Sequence, residues 1–281
     1  MIKYRYNSLE DYLRSHPLDV DGLLDDGFGA LFPVKGRLLD AAVLFADMSS
    51  FSSRSSELSP IETLILANNF FCWISAEGIS GGPGIVDKYI GDEVMVVFSK
   101  DFGSEDPLAD AIRAGRWMAE RDYLGFGLHV GVAVGAAVVG YVGTPLRYNC
   151  SVYGTVVTLA RRCCQIQSHA EASIIVPAKA WAGKKLEEVL PQEKMVGPDG
   201  QESYLDLPWE ICPVRTETLK DGQELEVLEI ARQGITLSPE TPQQRARKAF
   251  EGLKRDGSYR LRRYTTVEPC PEGSKPGRAG G

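Results

Sequence analysis

The sequence predicts an α+β fold: a ferredoxin-like βαββαβ core with helices on one face of an antiparallel sheet, and a hairpin and tail appended after it. Three observations predict it. Apolar strand-like runs and helix-period segments follow one another in the order β-α-β-β-α-β. Two of the strand-like runs, Gly84–Ile90 and Glu93–Phe98, are separated only by Gly91-Asp92, the signature of a tight hairpin. The strongest strand signal, LHVGVAVGAAVVGYVG over Leu128–Gly143, alternates around a break at Gly135-Ala136.

The elements follow in order. Residues 1–36 read as a leader with a short helix, N-capped by Ser8 with Asp11 three residues on. Asp40–Asp47, DAAVLFAD, is a short apolar strand ending at a carboxylate. Ser59-Pro60-Ile61-Glu62 is a capping box with Pro at the first helical position, and Leu64, Ala67, Phe71 and Ile74 recur at helical spacing until Gly81-Gly82-Pro83-Gly84. A second helix covers Pro107–Arg121, a third Val152–Gln167. Ala172–Val176 is a strand, and Trp209–Ile230 a closing hairpin around Lys220-Asp221-Gly222. Thr241-Pro242-Gln243-Gln244 caps a helix to about Arg255, and the Pro/Gly-rich Tyr264–Gly281 is expected to be disordered. The division is a leader over 1–36, a main domain over 37–231, and a basic, partly disordered extension over 232–281.

Composition excludes several classes. With 281 residues, 43% hydrophobic and 25% charged, the chain can bury a full core. No apolar run approaches the ~18 residues a membrane helix needs, and the N-terminus has no apolar signal segment. A cytoplasmic protein is expected. Six cysteines show no zinc spacing, and three histidines supply neither a His-based metal site nor a Ser-His-Asp triad. Metal chemistry must therefore rest on carboxylates, which favours Mg²⁺ or Mn²⁺. From Ala231 onward eleven Lys/Arg face five acids, a local +6 within a chain of net −7. This reads as a solvated extension, and no nucleic-acid partner is expected.

Two carboxylates stand out by position, Asp47 at the end of the first strand and Asp92 in the hairpin turn. Each alone also suits a cap or turn residue. On adjacent strand ends of a βαββ sheet the two can meet one ion, which suggests a two-metal nucleotide site. Ser49, Ser50, Phe51, Ser52 and Ser53 follow Asp47 and can open a helix whose N–H groups face phosphate. No Walker A pattern is present.

AAVLFADMSSFSSRSSELSP, GIVDKYIGDEVMVVF, LHVGVAVGAAVVGYVG and SVYGTVVTLARR together resemble the catalytic domain of class III nucleotide cyclases, in one colinear pass over about Leu39–Ile230. The resemblance implies a homodimer with active sites at its interface, Asp47 and Asp92 holding two Mg²⁺ or Mn²⁺ ions around a nucleoside triphosphate, and pyrophosphate as leaving group. The family's transition-state arginine matches Arg162, eight residues after Gly154. Its ribose-orienting asparagine is replaced by Thr158, which offers one hydroxyl and puts ribose handling in doubt. Ser50 stands where the family has glycine, and Ser50 and Phe51 are placed with the substrate. A diguanylate cyclase is disfavoured because Tyr89-Ile90-Gly91-Asp92-Glu93-Val94 lacks the second glycine and the phenylalanine of GGDEF.

The family's base-reading pair falls on Lys88 and Ser151. Lysine donates, serine donates or accepts, and ATP, CTP and UTP all satisfy the pair. Guanylate cyclases carry Glu and Cys there. The departures at Ser50, Asn149-Cys150, Tyr153 and Thr158, with no sensor domain evident, resemble the free-standing bacterial pyrimidine cyclases of Pycsar anti-phage systems. That resemblance implies cyclic UMP or cyclic CMP read by a downstream effector; an adenylate cyclase and a catalytically weak nucleotide-binding module are the alternatives.

Overall fold

The computed structural model describes residues 6, 8–15, 35–75, 79, 82–120, 126–144, 147–168, 170, 172–191, 194–196, 202–204, 209–220, 222–232 and 240–255. In chain order these form α1 (Leu9–Ser15), β1 (Lys35–Met48), α2 (Phe51–Ser55), α3 (Pro60–Trp73), β2 (Ile85–Ile90), β3 (Glu93–Ser99), α4 (Pro107–Glu120), β4 (Leu128–Thr144), β5 (Arg147–Tyr153) and α5 (Thr155–Cys164). Then come β6 (Ser173–Pro177), α6 (Leu186–Val189), β7 (Lys194–Val196), β8 (Glu202–Tyr204), β9 (Trp209–Ile211), β10 (Arg215–Thr218), β11 (Glu224–Arg232) and α7 (Pro242–Arg255). The expected disordered stretch Tyr264–Gly281 and the turn residue Asp221 lie outside the described residues, as does Gly81 of the expected helix stop.

The main sheet runs β10-β11-β6-β4-β1-β3-β2, so the β4-β1-β3-β2 centre has ferredoxin-like order. The α+β class and mainly antiparallel sheet agree with expectation. β1 is the spine: residues 35–48 pair with β4 and residues 41–47 with β3. β4 is one unbroken strand, since Gly135 stays paired with Ala41; the expected break is absent. Its first half pairs in parallel with β6 and its second half with β5.

Alternation divides the core in two. Ala42, Leu44 and Ala46 of β1, with Val94, Val96 and Val130, pack under α3 and α4. Ala41, Val43 and Phe45, with Met95, Val97 and Ala133, face the other way, where Val156, Ala160 and Cys164 of α5 and Leu9, Tyr12 and Leu13 of α1 cover them. The sheet is thus covered on both faces, a correction to the one-sided layer expected. The leader helix is part of this second core: Tyr12 is fully buried edge-on to Phe102, with ring centroids 4.7 Å apart.

The caps behave as their residues dictate. The Ser8 hydroxyl accepts from Asp11 N–H, and Ser59 and Glu62 form the reciprocal capping box of α3, which ends at Trp73, short of the glycine cluster. Thr241 and Gln244 cap α7 in the same way. The helix expected from Val152 begins instead at Thr155, and the residues before it form β5. Polar Asn149 and Ser151 hid that strand from hydropathy.

One buried ion pair stands apart from the candidate residues named above. The Glu229 side chain is wholly buried, accepts from the Ser168 hydroxyl at 2.7 Å, and pairs with Arg215. Removing one partner leaves an uncompensated charge, so Arg215→Leu is expected to lower stability by about 3 kcal/mol in urea unfolding. An unchanged midpoint would mean that water reaches Glu229.

Candidate active site

Asp47 sits one residue before the end of β1, opposite Glu93 at the start of β3 and His129 near the start of β4. Asp92 occupies the two-residue loop between β2 and β3, after Gly91, whose φ of 65° the turn requires. Strand register therefore delivers both carboxylates to one end of the sheet, close enough for the Asp92 charge to act on Asp47. Burial, then the Asp92 carboxyl beside it, then the Glu93 charge, push the Asp47 carboxyl up to about 8. Asp47 Oδ1 is buried without a hydrogen-bond partner. Crowded carboxylates with a spare buried oxygen fit a divalent cation, which relieves their repulsion. Among the described residues no group of three or more Asp, Glu, His or Cys side chains converges in a way that could hold a metal ion.

The loop leaving Asp47 is pinned. Ser49 N–H donates to Gly127 C=O at 2.8 Å, and Arg54 Nε donates to Ser49 C=O at 2.7 Å. Arg54 is 1% exposed, a burial the sequence reading did not anticipate. Ser50 lies in the left-handed region (φ 56°, ψ 38°), the only described non-glycine residue with positive φ, and α2 opens directly at half-buried Phe51. Ser50→Gly is expected to stabilise the fold by about 1 kcal/mol in thermal unfolding, because glycine carries no Cβ penalty there. Destabilisation would show that the exposed serine makes a compensating contact.

α5 lies against β4 with almost no clearance. A Cβ on Gly131 would stand 2.0 Å from Cys164 N and 2.4 Å from Ala160 O. The end of α5 is tied to the same end of the sheet by Cys164 Sγ–H donating to His129 C=O at 3.2 Å and by Arg161 Nε 2.9 Å from Glu93 Oε2. Thr158 is exposed in the middle of α5 and Arg162 half-buried in its last turn.

A second cluster joins Lys88 and Ser151, on β2 and β5. They meet through Asp87, the extra residue where the β2–β3 register shifts between Val86 and Lys88. Asp87 Oδ2 accepts from the Ser151 hydroxyl at 2.7 Å and lies 3.3 Å from Lys88 Nζ. The Asp87 side chain is wholly buried, and burial raises its carboxyl despite these two donors. Lys88 Nζ also lies 5.8 Å from the centroid of the Tyr153 ring. A cleft of about 450 Å³ opens beside Lys88, walled by Ser8, by Leu9 and Glu10 of α1, and by Val86–Tyr89, Asn149 and Cys150.

The structure thus gathers Asp47 with Asp92, and Lys88 with Ser151. It adds Asp87, Glu93, Arg161 and Arg54, which the sequence reading passed over. Asp87 and Glu93 were visible as acids beside motif residues, but their burial depends on a bulge and a strand register.

No protein-family profile matches the chain. It is 29% identical over 136 residues to the adenylate cyclase of Anabaena cylindrica, covering 43% of this chain and 26% of that protein. It is 27% identical over 156 residues to an uncharacterized protein of Mycobacterium tuberculosis, covering 54% of this chain and 29% of that protein. The chain therefore spans less than a third of the length of either relative. Among solved structures it is similar to the adenylyl cyclase CyaB from P. aeruginosa, with a TM-score of 0.52 and 19% identity over 72% of this chain and 99% of that one. The fold is that of the cyclase homology domain.

Proposed function

We propose that this chain is a nucleotide cyclase, converting a nucleoside triphosphate to its 3′,5′-cyclic monophosphate and pyrophosphate. The observation that carries the reading is the meeting of Asp47 and Asp92 at one sheet end of a cyclase homology fold, with a buried carboxylate oxygen left over. In this reading the two carboxylates hold Mg²⁺ or Mn²⁺, which when bound lower the pKa of the ribose 3′-hydroxyl and offset triphosphate charge. The 3′-oxygen attacks the α-phosphorus in line, and the bond to the bridging oxygen breaks to release pyrophosphate. Ser50 and Phe51 line the triphosphate, Arg162 stabilises charge growing on the α-phosphoryl oxygens, Thr158 orients the ribose, and Lys88 and Ser151 read the base.

The active unit is a homodimer whose sites draw Arg162 and Thr158 from the opposite copy. Exposed apolar Leu38, Val134 and Val142 along the β1–β4 ribbon, with exposed Tyr89 and Tyr153 at the base cluster, support such an association. No helix among the described residues is long and apolar enough to cross a membrane. A pyrimidine nucleotide is the preferred substrate, on the departures at Ser50, Asn149-Cys150, Tyr153 and Thr158, and its cyclic product serves a downstream effector in anti-phage defence. Adenylate cyclisation is the second reading, favoured by the match to the Anabaena enzyme and by Lys88. The test is Mn²⁺-dependent pyrophosphate release from each of ATP, CTP, GTP and UTP, with products identified by mass. A cyclic monophosphate confirms the reading; no pyrophosphate from any nucleotide overturns it.

A further inference from the structure

We infer that α7, the helix of the basic C-terminal extension, is a brace for the loop between Asp47 and Phe51. Seated on α2, it holds in its working shape the loop that the cyclase reading gives to metal and triphosphate. The inference rests on that reading and adds a positioning element to it.

α2 spans only Phe51–Ser55, and five residues do not hold a helix by themselves in water. Two bonds to the loop nevertheless depend on its being helical. Arg54 N–H donates to Ser50 C=O at 2.9 Å, and Arg54 Nε donates to Ser49 C=O at 2.7 Å. Ser50 meanwhile keeps a left-handed backbone, which sterics disfavour for any residue with a Cβ. If α2 frays, both bonds go, Ser50 relaxes to ordinary φ, and the chain leaving Asp47 loses its shape. Support for α2 must come from outside it.

α7 supplies that support. It packs against α2, and also against α3. Its 14 residues bring their own cap, since Thr241 and Gln244 bond reciprocally at its start. Arg247 Nη2 lies 3.2 Å from Glu57 Oε2, two residues beyond the end of α2. Both side chains are more than half exposed, so this pair fixes the orientation of α7 more than it holds it down. The extension that the sequence read as solvated thus docks, over 240–255, on the helix that opens at the candidate site. Release of α7 switches turnover down without touching a metal ligand.

The experiment uses the full chain carrying Lys248→Pro. Lys248 is exposed inside α7, where proline removes an N–H and clashes with the preceding turn, breaking the helix. Lys248→Ala removes only the ion pair with Glu240 and should behave as wild type. Four quantities are compared: amide hydrogen exchange over 49–55 without nucleotide, turnover, the Mn²⁺ needed for half-maximal rate, and the urea midpoint. Lys248→Pro should speed exchange over 49–55 by about tenfold or more, raise the Mn²⁺ requirement, and lower turnover by about tenfold. The urea midpoint of the sheet should stay, whereas a merely structural role for α7 would move the midpoint and leave the Mn²⁺ requirement alone. Glu57→Arg and Arg247→Glu should each give about a twofold loss of turnover that the double swap restores.

Unchanged exchange overturns the inference, as does faster exchange with turnover and Mn²⁺ requirement unchanged. Higher turnover in Lys248→Pro would make α7 an inhibitory lid and overturns it too. If Lys248→Pro does not fold, the charge swap decides: restoration upholds the brace and its absence overturns it. If the wild type forms no cyclic product, the cyclase reading falls, and calorimetry with Mn²⁺ alone takes the place of turnover. Weaker Mn²⁺ binding with faster exchange in Lys248→Pro then upholds the brace, and Mn²⁺ binding equal to wild type overturns it.

Discussion

Asp47→Asn and Asp92→Asn should each lower nucleotide turnover by roughly 10³-fold while leaving the protein folded. An amide keeps the shape of the carboxylate but not its charge, and loss of one preorganised contact to a charged transition state commonly costs about 10²–10³ in rate. Stability should move the other way. Asp47 is pushed up to about 8 by burial and by the Asp92 and Glu93 charges, so keeping a carboxyl there costs stability when no cation is bound. Removing one carboxylate relieves it, and the urea midpoint measured without divalent metal should stay level or rise. Retained turnover in either variant would break the assignment of both acids to one ion site. A falling midpoint would mean that the carboxylates are structural.

Gly131→Ala is expected to carry the largest stability effect of any single-methyl change in the sheet. The new Cβ would stand 2.0 Å from Cys164 N and 2.4 Å from Ala160 O, and both neighbours are backbone that cannot rotate away. α5 must lift off β4, at a cost of about 3 kcal/mol for overpacking a rigid contact. Its last turn carries Arg162, and Arg161 beside it is tied to Glu93, so turnover should fall with stability. Urea unfolding and turnover measured on the same preparation test both halves. Native stability would show that α5 has room to shift.

Much of this was legible before the structure. Capping boxes are local, so Ser59 with Glu62 and Thr241 with Gln244 announced α3 and α7. The Gly91-Asp92 hairpin was equally local. Asp47 and Asp92 could be placed together because a βαββ order fixes which strand ends are neighbours. What was missed depends on contacts distant in sequence. β5 is a strand because Val152 enters the core and Ser151 finds Asp87 on β2, 64 residues away. Arg54 reads as a solvated helix residue until Ser49 C=O is seen above it. The two-sided sheet follows from Gly131, where lack of a side chain lets α5 approach.

The central claim is that one catalytic centre is completed by two copies of the chain. Asp47→Asn and Arg162→Ala, each purified and inactive alone, should regain activity when unfolded together and refolded as an equimolar mixture. Half of the dimers would then be mixed, each with one intact site, giving about a quarter of wild-type turnover. Regained activity near that level is the predicted result. If the mixture stays as inactive as its parts while dimers form, the carboxylates and Arg162 do not meet across an interface, and the shared-site account is wrong.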